Sequence, residues 1–539
     1  MKSALSFYEK NPHLQGALIG IDLKRAFDSI SHKYLFNCLK HIGIPSMLID
    51  TLHNIYQSSF SQVNINGFMT PRFHIQRGVR QGCPLSMHLF TLVMETLVCA
   101  VNRAVSGLKV QNVTLVCRAY ADDIFILLSN PIQFDPLLSA FETFQAACGT
   151  SINWSKSSYL PLGTWVTPLP PLTQVSQIKI LGIQFHQKMC TSVQINWSKA
   201  TNRIHTLTIQ CLSRRLSLQQ RVWYTNIYLL SSLWFLAKVF PPRKMDTQQV
   251  EKYIGYFIWK DFPYRVARQQ LRLPLNKGGL NLVDVEAKCH TLMMKHCDNL
   301  IVGSNQDEFE VALNNHLLIN TAPQLQNFPA YIRPVFVKRE QLLTTNGFSS
   351  LPPTRTLYKM LIEMNNITPH IVSSRPTIDW YKTWTNIHRS PMSSEWRSSL
   401  YLIINDAIGY GEKLLRHGRV NSDQCNYCNC HQVETLRHKF IECPTINRLW
   451  SWVHDCLKNK IKLPARCLLR ITNLSVDFLC DRKTRNAAMW LVAGYFHFIL
   501  VKSDNKCLTN LLTLLRTSRW QLSQEKMLPS LFGNKLYFF

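Results

Sequence analysis

Apolar and polar positions alternate with two different periods along the first third of the chain, the short period of strands and the longer one of amphipathic helices. Ala17–Leu23 is an apolar run that predicts a strand. A helix is expected near His32–His41, ended by Gly43 and Pro45, and another over Met47–Ser58. Phe60–Gln76 reads as a hairpin turning at Asn66-Gly67, a dipeptide that tolerates the left-handed backbone of a tight turn. Pro84 introduces a long apolar helix over Ser86–Ala104. Val113–Val116 and Ile124–Leu128 then predict two short buried strands joined by Ala121-Asp122-Asp123, and 131–149 reads as helix. Residues 160–177 carry Pro161, Pro168, Pro170 and Pro171 and predict a loop. A strand pair follows around Ile178–Phe185. Residues 197–300 are largely helical, 300–420 show several prolines without clear periodicity, and the chain closes on a helical tail. Tyr224–Phe240 and Ala487–Val501 are apolar but broken by polar residues or short of the roughly 20 residues a membrane span needs, so both predict buried helices.

The pair Asp122-Asp123 is the position where pattern alone fails. An unpaired buried charge is costly, and two side by side are worse, so a positive group is expected there. The competing reading is a turn whose Asp side chains cap backbone N–H groups. Composition sharpens the choice. The 539 residues allow two to four domains, and 46% hydrophobic content excludes a disordered chain. Lys and Arg total 60 against 32 acids, a net charge of +28, which predicts a polyanionic partner, nucleic acid before an anionic membrane surface. Most of the 17 cysteines, an odd count, are scattered in apolar contexts (Cys38, Cys99, Cys117, Cys148), as expected of reduced thiols in a nuclear or cytoplasmic protein rather than of a disulfide framework. The first 20 residues include Glu9, Asn11, His13 and Gln15, so neither a signal peptide nor a membrane partner is expected, and the localisation expected is intracellular.

A second acid, Asp22, ends the apolar run Ile19-Gly-Ile-Asp22. Between it and Asp122 lies the Gly-rich turn Arg77-Gly-Val-Arg-Gln-Gly-Cys-Pro-Leu-Ser86. Strand-end carboxylates with such a turn between them suit two-metal phosphoryl transfer, in which a pair of Mg²⁺ ions cancels the carboxylates' mutual repulsion.

In order and spacing these segments resemble the reverse transcriptases of non-LTR (LINE-type) retrotransposons. Asp22-Leu-Lys-Arg-Ala-Phe-Asp28 resembles the first motif of that family, Arg77–Ser86 the second and Tyr120-Ala-Asp-Asp123 the third. Asn153-Trp-Ser-Lys-Ser157 resembles the fourth and Ile180-Leu-Gly-Ile-Gln-Phe185 the fifth. The resemblance implies that Asp22 and Asp122 ligate Mg²⁺, with Asp123 a weaker ligand. It implies that Phe27 crowds a ribose 2′-hydroxyl, although an ordinary core aromatic is an equal reading. It further implies that Gln81 and Gly82 floor the nucleotide and template, that Arg77 and Arg80 meet template phosphate, that Lys156 approaches the leaving phosphate, and that Leu181–Phe185 grips the primer end. Met87 and His88 depart from the Pro that often follows the family's Ser. The family's fingers subdomain and N-terminal endonuclease lie ahead of the first motif, so with 21 residues before Asp22 the expectation is the C-terminal portion of a polyprotein, with its fingers truncated and its activity alone impaired.

Far downstream, Cys425-x2-Cys428-x9-His438-x4-Cys443 has the donor types and spacing of a closed tetrahedral Zn²⁺ site, with Cys430 and His431 as competing ligands. It resembles the zinc-binding segment that follows the reverse transcriptase in many members of the same family. Arg437, Lys439 and Arg448 are candidates to touch phosphates there. Ile-Asn-Trp-Ser-Lys occurs at 152–156 and again at 195–199, too little for a repeat architecture.

The fold class expected is α+β: a reverse-transcriptase palm over 1–185, a helical basic thumb over 186–300, a connector over 301–420, a zinc-binding module over 421–460 and a helical tail over 461–539. The function expected is RNA-directed DNA polymerase acting on template RNA, DNA primer and deoxynucleoside triphosphates with two Mg²⁺ ions and a structural Zn²⁺. The alternative is a non-catalytic nucleic-acid-binding remnant of a retrotransposon polyprotein. An RNA-dependent RNA polymerase or maturase is a third reading, disfavoured by the zinc segment and the Ala26-Phe27-Asp28 context.

Overall fold

The structure is a computed structural model that describes residues 1–110, 113–260, 265–302, 333–347, 350–364, 372, 378–425, 428, 430–457, 482–501 and 508–518. The chain divides into two compact units, one of Met1–Lys199, Phe235–Arg243 and His290–Thr354, the other of Ala200–Trp234, Lys244–Cys289 and Arg355–Phe539.

The first unit is built on a five-stranded sheet whose spatial order is Thr173–Gln174, Ser158–Gly163, Gln15–Ile21, Asp123–Leu128, Cys117–Tyr120. The central strand, Gln15–Ile21, is antiparallel to both neighbours, with Ile21 opposite Ile124 and Ala17 opposite Pro161. It reads as a continuous apolar run because both sheet faces are covered: Ala17, Leu18 and Ile19 are all fully buried. On one face, Ile19, Ile124 and Ile126 share a core with Leu35 and Leu39, with Leu89, Phe90, Val93 and Leu97, and with Leu137 and Phe141. These come from the helices His32–Ile42, Pro84–Ala104 and Phe134–Cys148. On the other side, Ile178 of the hairpin Gln177–Ile180/Ile183–His186 presses on Gly20, where an added Cβ would lie 3.0 Å from its Cδ1. Pro84–Ala104 is long and apolar enough to cross a membrane by length and composition, yet its residues 89, 90, 93, 94, 97 and 101 repeat at helical spacing into this core.

Local signals place several elements closely. The helices His32–Ile42 and Ser46–Gln57 form as expected, the first closed by Gly43 in the left-handed region. Asn66 and Gly67 take φ of 51° and 93° and join Asn64–Ile65 to Phe68–Met69 in a tight hairpin, extended by Phe60–Ser61 paired with Phe73–His74. Two expectations fail, and one stretch without a clear sequence signal contains helices. The region 160–177 is not simply a loop, since Ser158–Gly163 is a sheet strand that includes Pro161, and Thr173–Gln174 pairs with it. The flanking strand pairs only at Ser158 and Tyr159, so Pro161 stands where that side of the strand is unpaired and the missing N–H breaks no ladder. The region 300–420 contains helices at Arg333–Asn346, Thr354–Met364, Trp380–Arg389, Ser394–Ile404 and Gly411–Arg416. Finally, Tyr224–Phe240 is not one buried helix: a π turn occupies Thr225–Leu229, and Tyr228 and Phe235 are exposed.

The second unit is helical. Trp384, Trp396 and Trp490 lie buried on Trp380–Arg389, Ser394–Ile404 and Arg482–Leu500, with the rings of Trp396 and Trp490 5.5 Å apart. The tail helix is enclosed from Asn486 to Phe496, as the apolar run at 487–501 predicts. Arg272 bridges the carboxylates of Glu251 and Asp284, tying three segments of this unit together. Most of the tail between 458 and 481 and beyond 518 lies outside the described residues.

Candidate active site and metal centre

The antiparallel register of Gln15–Ile21 and Asp123–Leu128 decides where the acids go. Ile21 faces Ile124, so the next position along each strand brings Asp22 beside Asp123. Ala121, at φ 53°, makes the tight turn that returns Cys117–Tyr120 into Asp123–Leu128 and carries Asp122 at its tip. Two short strands are formed here, but the acids are not buried as expected. Asp122 and Asp123 are exposed at the sheet's end, while the apolar residues Ile124–Leu128 go inward. Water at the strand ends lowers the cost that the sequence pattern predicts. The charges still feel one another. Partial burial raises the Asp123 pKa above its ordinary value, the neighbouring carboxylates of Asp122 and Asp22 raise it further, and Lys179 opposes them.

Asp22 is held from several directions. Asn153 donates from Nδ2 to Asp22 Oδ2 at 3.0 Å and from its backbone N–H to the Asp22 carbonyl at 2.8 Å. The Asp22 N–H donates to Ser157 Oγ at 3.1 Å, and that hydroxyl donates back to the Asn153 carbonyl at 2.9 Å. One carboxylate oxygen is thereby oriented by a neutral donor. The sequence segment 153–157 draws attention to Lys156, whereas the groups that touch the acid are its flanking Asn153 and Ser157. Nothing local in the sequence ties them to Asp22; the pairing Ser151–Ile152 with Leu23–Lys24 brings them together.

The Gly-rich turn docks on the segment after Asp22. Gly78 N–H donates to the Ile30 carbonyl and Val79 N–H to the Phe27 carbonyl, both at 2.7 Å, and His32 Nε2 lies 2.9 Å from the Gly78 carbonyl. Gly78 has φ 84°, and a Cβ there would fall 2.6 Å from Asp28 Cα, so only glycine fits this approach. Phe27 is half-buried and stacks on Phe90 with centroids 4.1 Å apart and planes at 14°. Arg77, Gln81, Gly82 and Lys156 are exposed. Among the described residues, no side-chain hydrogen bond joins Arg77, Gln81 or Lys156 to the three carboxylates. Arg80 instead donates to the Phe60 carbonyl at 2.6 Å.

The second centre is closed. The ligand atoms of Cys425, Cys428, His438 and Cys443 all lie within 4.8 Å of one another. Cys425 Sγ is 3.9 Å from Cys443 Sγ and 3.5 Å from Cys428 Sγ, and Cys428 Sγ is 4.0 Å from His438 Nε2. A tetrahedral Zn²⁺ with bonds of about 2.0 to 2.3 Å requires edges near 3.5 to 3.8 Å, so the donors fit the ion. Cys425, His438 and Cys443 are buried. A bridge between Gln424 and Val433 supplies the first pair of thiols, and the turn His438–Glu442, running into the helix Pro444–Leu457, supplies the second pair of donors. Of the two competitors, His431 is exposed with φ 54°. Cys430 Sγ lies 2.7 Å from Cys428 Sγ, too close for two ligands of one tetrahedron, and 3.6 Å from His438 Nε2. Among the described residues this is the only group of three or more such donors so tightly gathered, so the three aspartates form a looser set.

Residues 6–185 match the family model described as reverse transcriptase (RNA-dependent DNA polymerase), and residues 354–450 match the one described as zinc-binding in reverse transcriptase. The sheet unit therefore carries a reverse transcriptase domain, and the Cys/His centre lies within the zinc-binding segment. The chain is 27% identical over 301 residues to the transposon TX1 uncharacterized 149 kDa protein of Xenopus laevis, covering 54% of this chain and 23% of that protein. It is 23% identical over 309 residues to the Pol polyprotein of retrotransposable element R2DM of Drosophila melanogaster, covering 52% and 28%. Over 477 residues it is 22% identical to the R2 Pol polyprotein of Nasonia vitripennis, covering 84% and 43%. The chain belongs to the reverse transcriptases of non-LTR retrotransposons, with that family's zinc-binding segment. It spans between 23% and 43% of these relatives' lengths. A solved telomerase from Candida tropicalis, in complex with a telomeric RNA fragment, aligns at TM-score 0.31 and 11% identity over 57% of this chain and 51% of that one, a likeness too slight to bear on the fold.

Proposed function

We propose that this chain catalyses RNA-directed DNA synthesis, extending a DNA primer on an RNA template with deoxynucleoside triphosphates. The observation that carries the reading is the convergence of Asp22 and Asp122-Asp123 at neighbouring strand ends, close enough for their charges to raise the Asp123 pKa. The donor chemistry fits a pair of Mg²⁺ ions, since hard oxygen ligands with unneutralised repulsion at an exposed edge leave coordination positions for substrate oxygens. Bound there, the ions would activate the primer 3′-hydroxyl and neutralise the departing pyrophosphate.

The chain's own residues prepare that site. Asp22 and Asp122 supply metal ligands and Asp123 a weaker one, while Asn153 and Ser157 fix the rotamer and backbone of Asp22 before substrate arrives. The docked turn at Gly78–Val79 holds Gln81 and Gly82 toward the nucleotide and template, and Arg77 toward template phosphate. Phe27, braced by Phe90, excludes a ribose 2′-hydroxyl. Lys156 serves the leaving phosphate. In this reading 1–185 is the palm, 186–300 a basic thumb, 301–420 a connector, 421–460 a zinc module closed by Cys425, Cys428, His438 and Cys443, and 461–539 a helical tail.

Primer extension on poly(rA)·oligo(dT) with Mg²⁺ tests the proposal. Incorporation that disappears in Asp122→Ala supports it. Template binding by the wild-type chain with no incorporation would instead identify a non-catalytic nucleic-acid-binding protein.

A further inference from the structure

The second unit carries an aromatic column that no reading of the carboxylate site uses. Tyr224 and Tyr228 stack with centroids 4.5 Å apart and planes at 21°. The Arg214 guanidinium lies over the Tyr224 ring, 5.3 Å from its centroid, and Cys211 Sγ donates to the Tyr224 hydroxyl at 3.2 Å. Tyr224 is thus fixed by a cation, by a neighbouring ring and by its hydroxyl. Tyr228 ends the column and is 61% exposed.

The column borders an open depression of about 440 Å³ lined also by Arg203, Leu207, Ser231 and Ser232. Its backbone support is the π turn Thr225–Leu229, which widens the helix locally, and such turns recur at functional sites. The exposed Tyr228 ring, already stacked on one side, offers a flat apolar surface on which a second ring can stack. Arg203 lines the depression and Arg214 caps Tyr224, both exposed, in a chain of net charge +28. Flat and anionic together describe one ligand chemistry, a base attached to phosphate.

We propose that the free face of Tyr228 is a stacking site for an unpaired nucleobase of a single-stranded nucleic acid. The base extends the column Arg214–Tyr224–Tyr228 by one layer, and Arg203 receives the adjoining phosphate, since the hydroxyls of Ser231 and Ser232 already donate to the carbonyls of Tyr228 and Leu229. A base paired in a duplex cannot present its face, so the site discriminates single strands from double strands. The inference goes beyond polymerisation and does not depend on it.

Fluorescence anisotropy of labelled oligothymidylate, oligouridylate and a duplex, with the full zinc-loaded chain, tests it. Tyr228→Ala is expected to weaken single-strand binding by about five- to a hundredfold, since one base stack carries that much. Tyr228→Trp is expected to restore it, and duplex affinity to stay unchanged. Arg203→Gln is expected to reduce the slope of log affinity against log salt by about one. The two homopolymer arms tell whether RNA, DNA or both occupy the site. The titrations are run without divalent ions or nucleotide, so no turnover enters them and a failed polymerase reading leaves this measurement intact. Tyr228→Ala with wild-type affinity for both homopolymers, or with an equal loss on duplex, overturns the proposal.

Discussion

The two candidate metal centres of this chain are built on opposite plans. At the cysteine–histidine centre four donors from two short segments are already within 4.8 Å of one another and three are buried. At the aspartate centre the donors sit at exposed strand ends, gathered more loosely, and still repel one another. The difference matches the role proposed for each. A structural zinc site gains by enclosing its ion, because four protein ligands satisfy the metal and organise the fold around it. A two-metal site must leave positions open for substrate oxygens, so the protein supplies only part of the coordination shell. Asp22 shows the compromise, with one oxygen bonded to Asn153 while its partners across the turn stay in solvent.

The contrast can be broken at either end. Asp122→Ala is expected to reduce nucleotide incorporation by about a thousandfold or more, with bound zinc unchanged, as scored by primer extension and metal analysis. Cys428→Ser is expected to lower zinc from about one per chain toward none and to expose 425–457 to proteolysis, whereas Cys430→Ser keeps the metal. Equal zinc in both variants would show that the four-donor assignment is wrong. Asn153→Ala is expected to cost about ten- to a hundredfold in turnover with little change in template affinity, since it orients a ligand rather than binding substrate. Gly78→Ala is expected to destabilise the first unit by about 1–3 kcal/mol in urea unfolding, because its Cβ meets the Asp28 backbone and its φ is positive.

The smallest effect sharpens the electrostatics. Lys179 lowers the Asp123 pKa, so Lys179→Ala is expected to raise it, and Asp122→Asn, removing a like charge, to lower it. Since the raised pKa means the folded chain disfavours ionised Asp123, metal-free stability from this group is greatest at acidic pH and declines as pH rises through that pKa. Both shifts can be read by carboxyl NMR titration without divalent ions. Opposite signs from those stated would refute the charge arrangement. Both groups are exposed, so salt should shrink the shifts.

Much of the site was legible from short stretches. Asp22 and Asp122-Asp123 stand out because acids interrupt apolar strands, and the zinc donors because thiol and imidazole spacing is distinctive. Asn66-Gly67 and Gly43 announce backbone conformations that few other residues adopt. The hold of Asn153 and Ser157 on Asp22 was not legible, since it spans more than 130 residues and rests on strand pairing. Pro161 misled because a proline's meaning in a strand depends on whether its other edge is paired. Phe27 reads in the sequence only as an aromatic for a similar reason: the ring that braces it, Phe90, comes from the helix Pro84–Ala104 more than 60 residues away.

The twice-used pentapeptide Ile-Asn-Trp-Ser-Lys marks the boundary between what residues decide and what neighbours decide. At 152–156 it leaves a strand and turns, and its Asn153 grips a catalytic candidate. At 195–199 it lies inside the helix Met189–Leu212, with Trp197 fully buried and Asn196 bonded to the backbone of Gln184. The sequence by itself determined which chemical groups exist, their order, and the tight turns whose backbone demands particular residues. The tertiary structure decided which of those groups meet, because identical local preferences of a few tenths of a kcal/mol per residue yield to long-range burial and pairing worth far more.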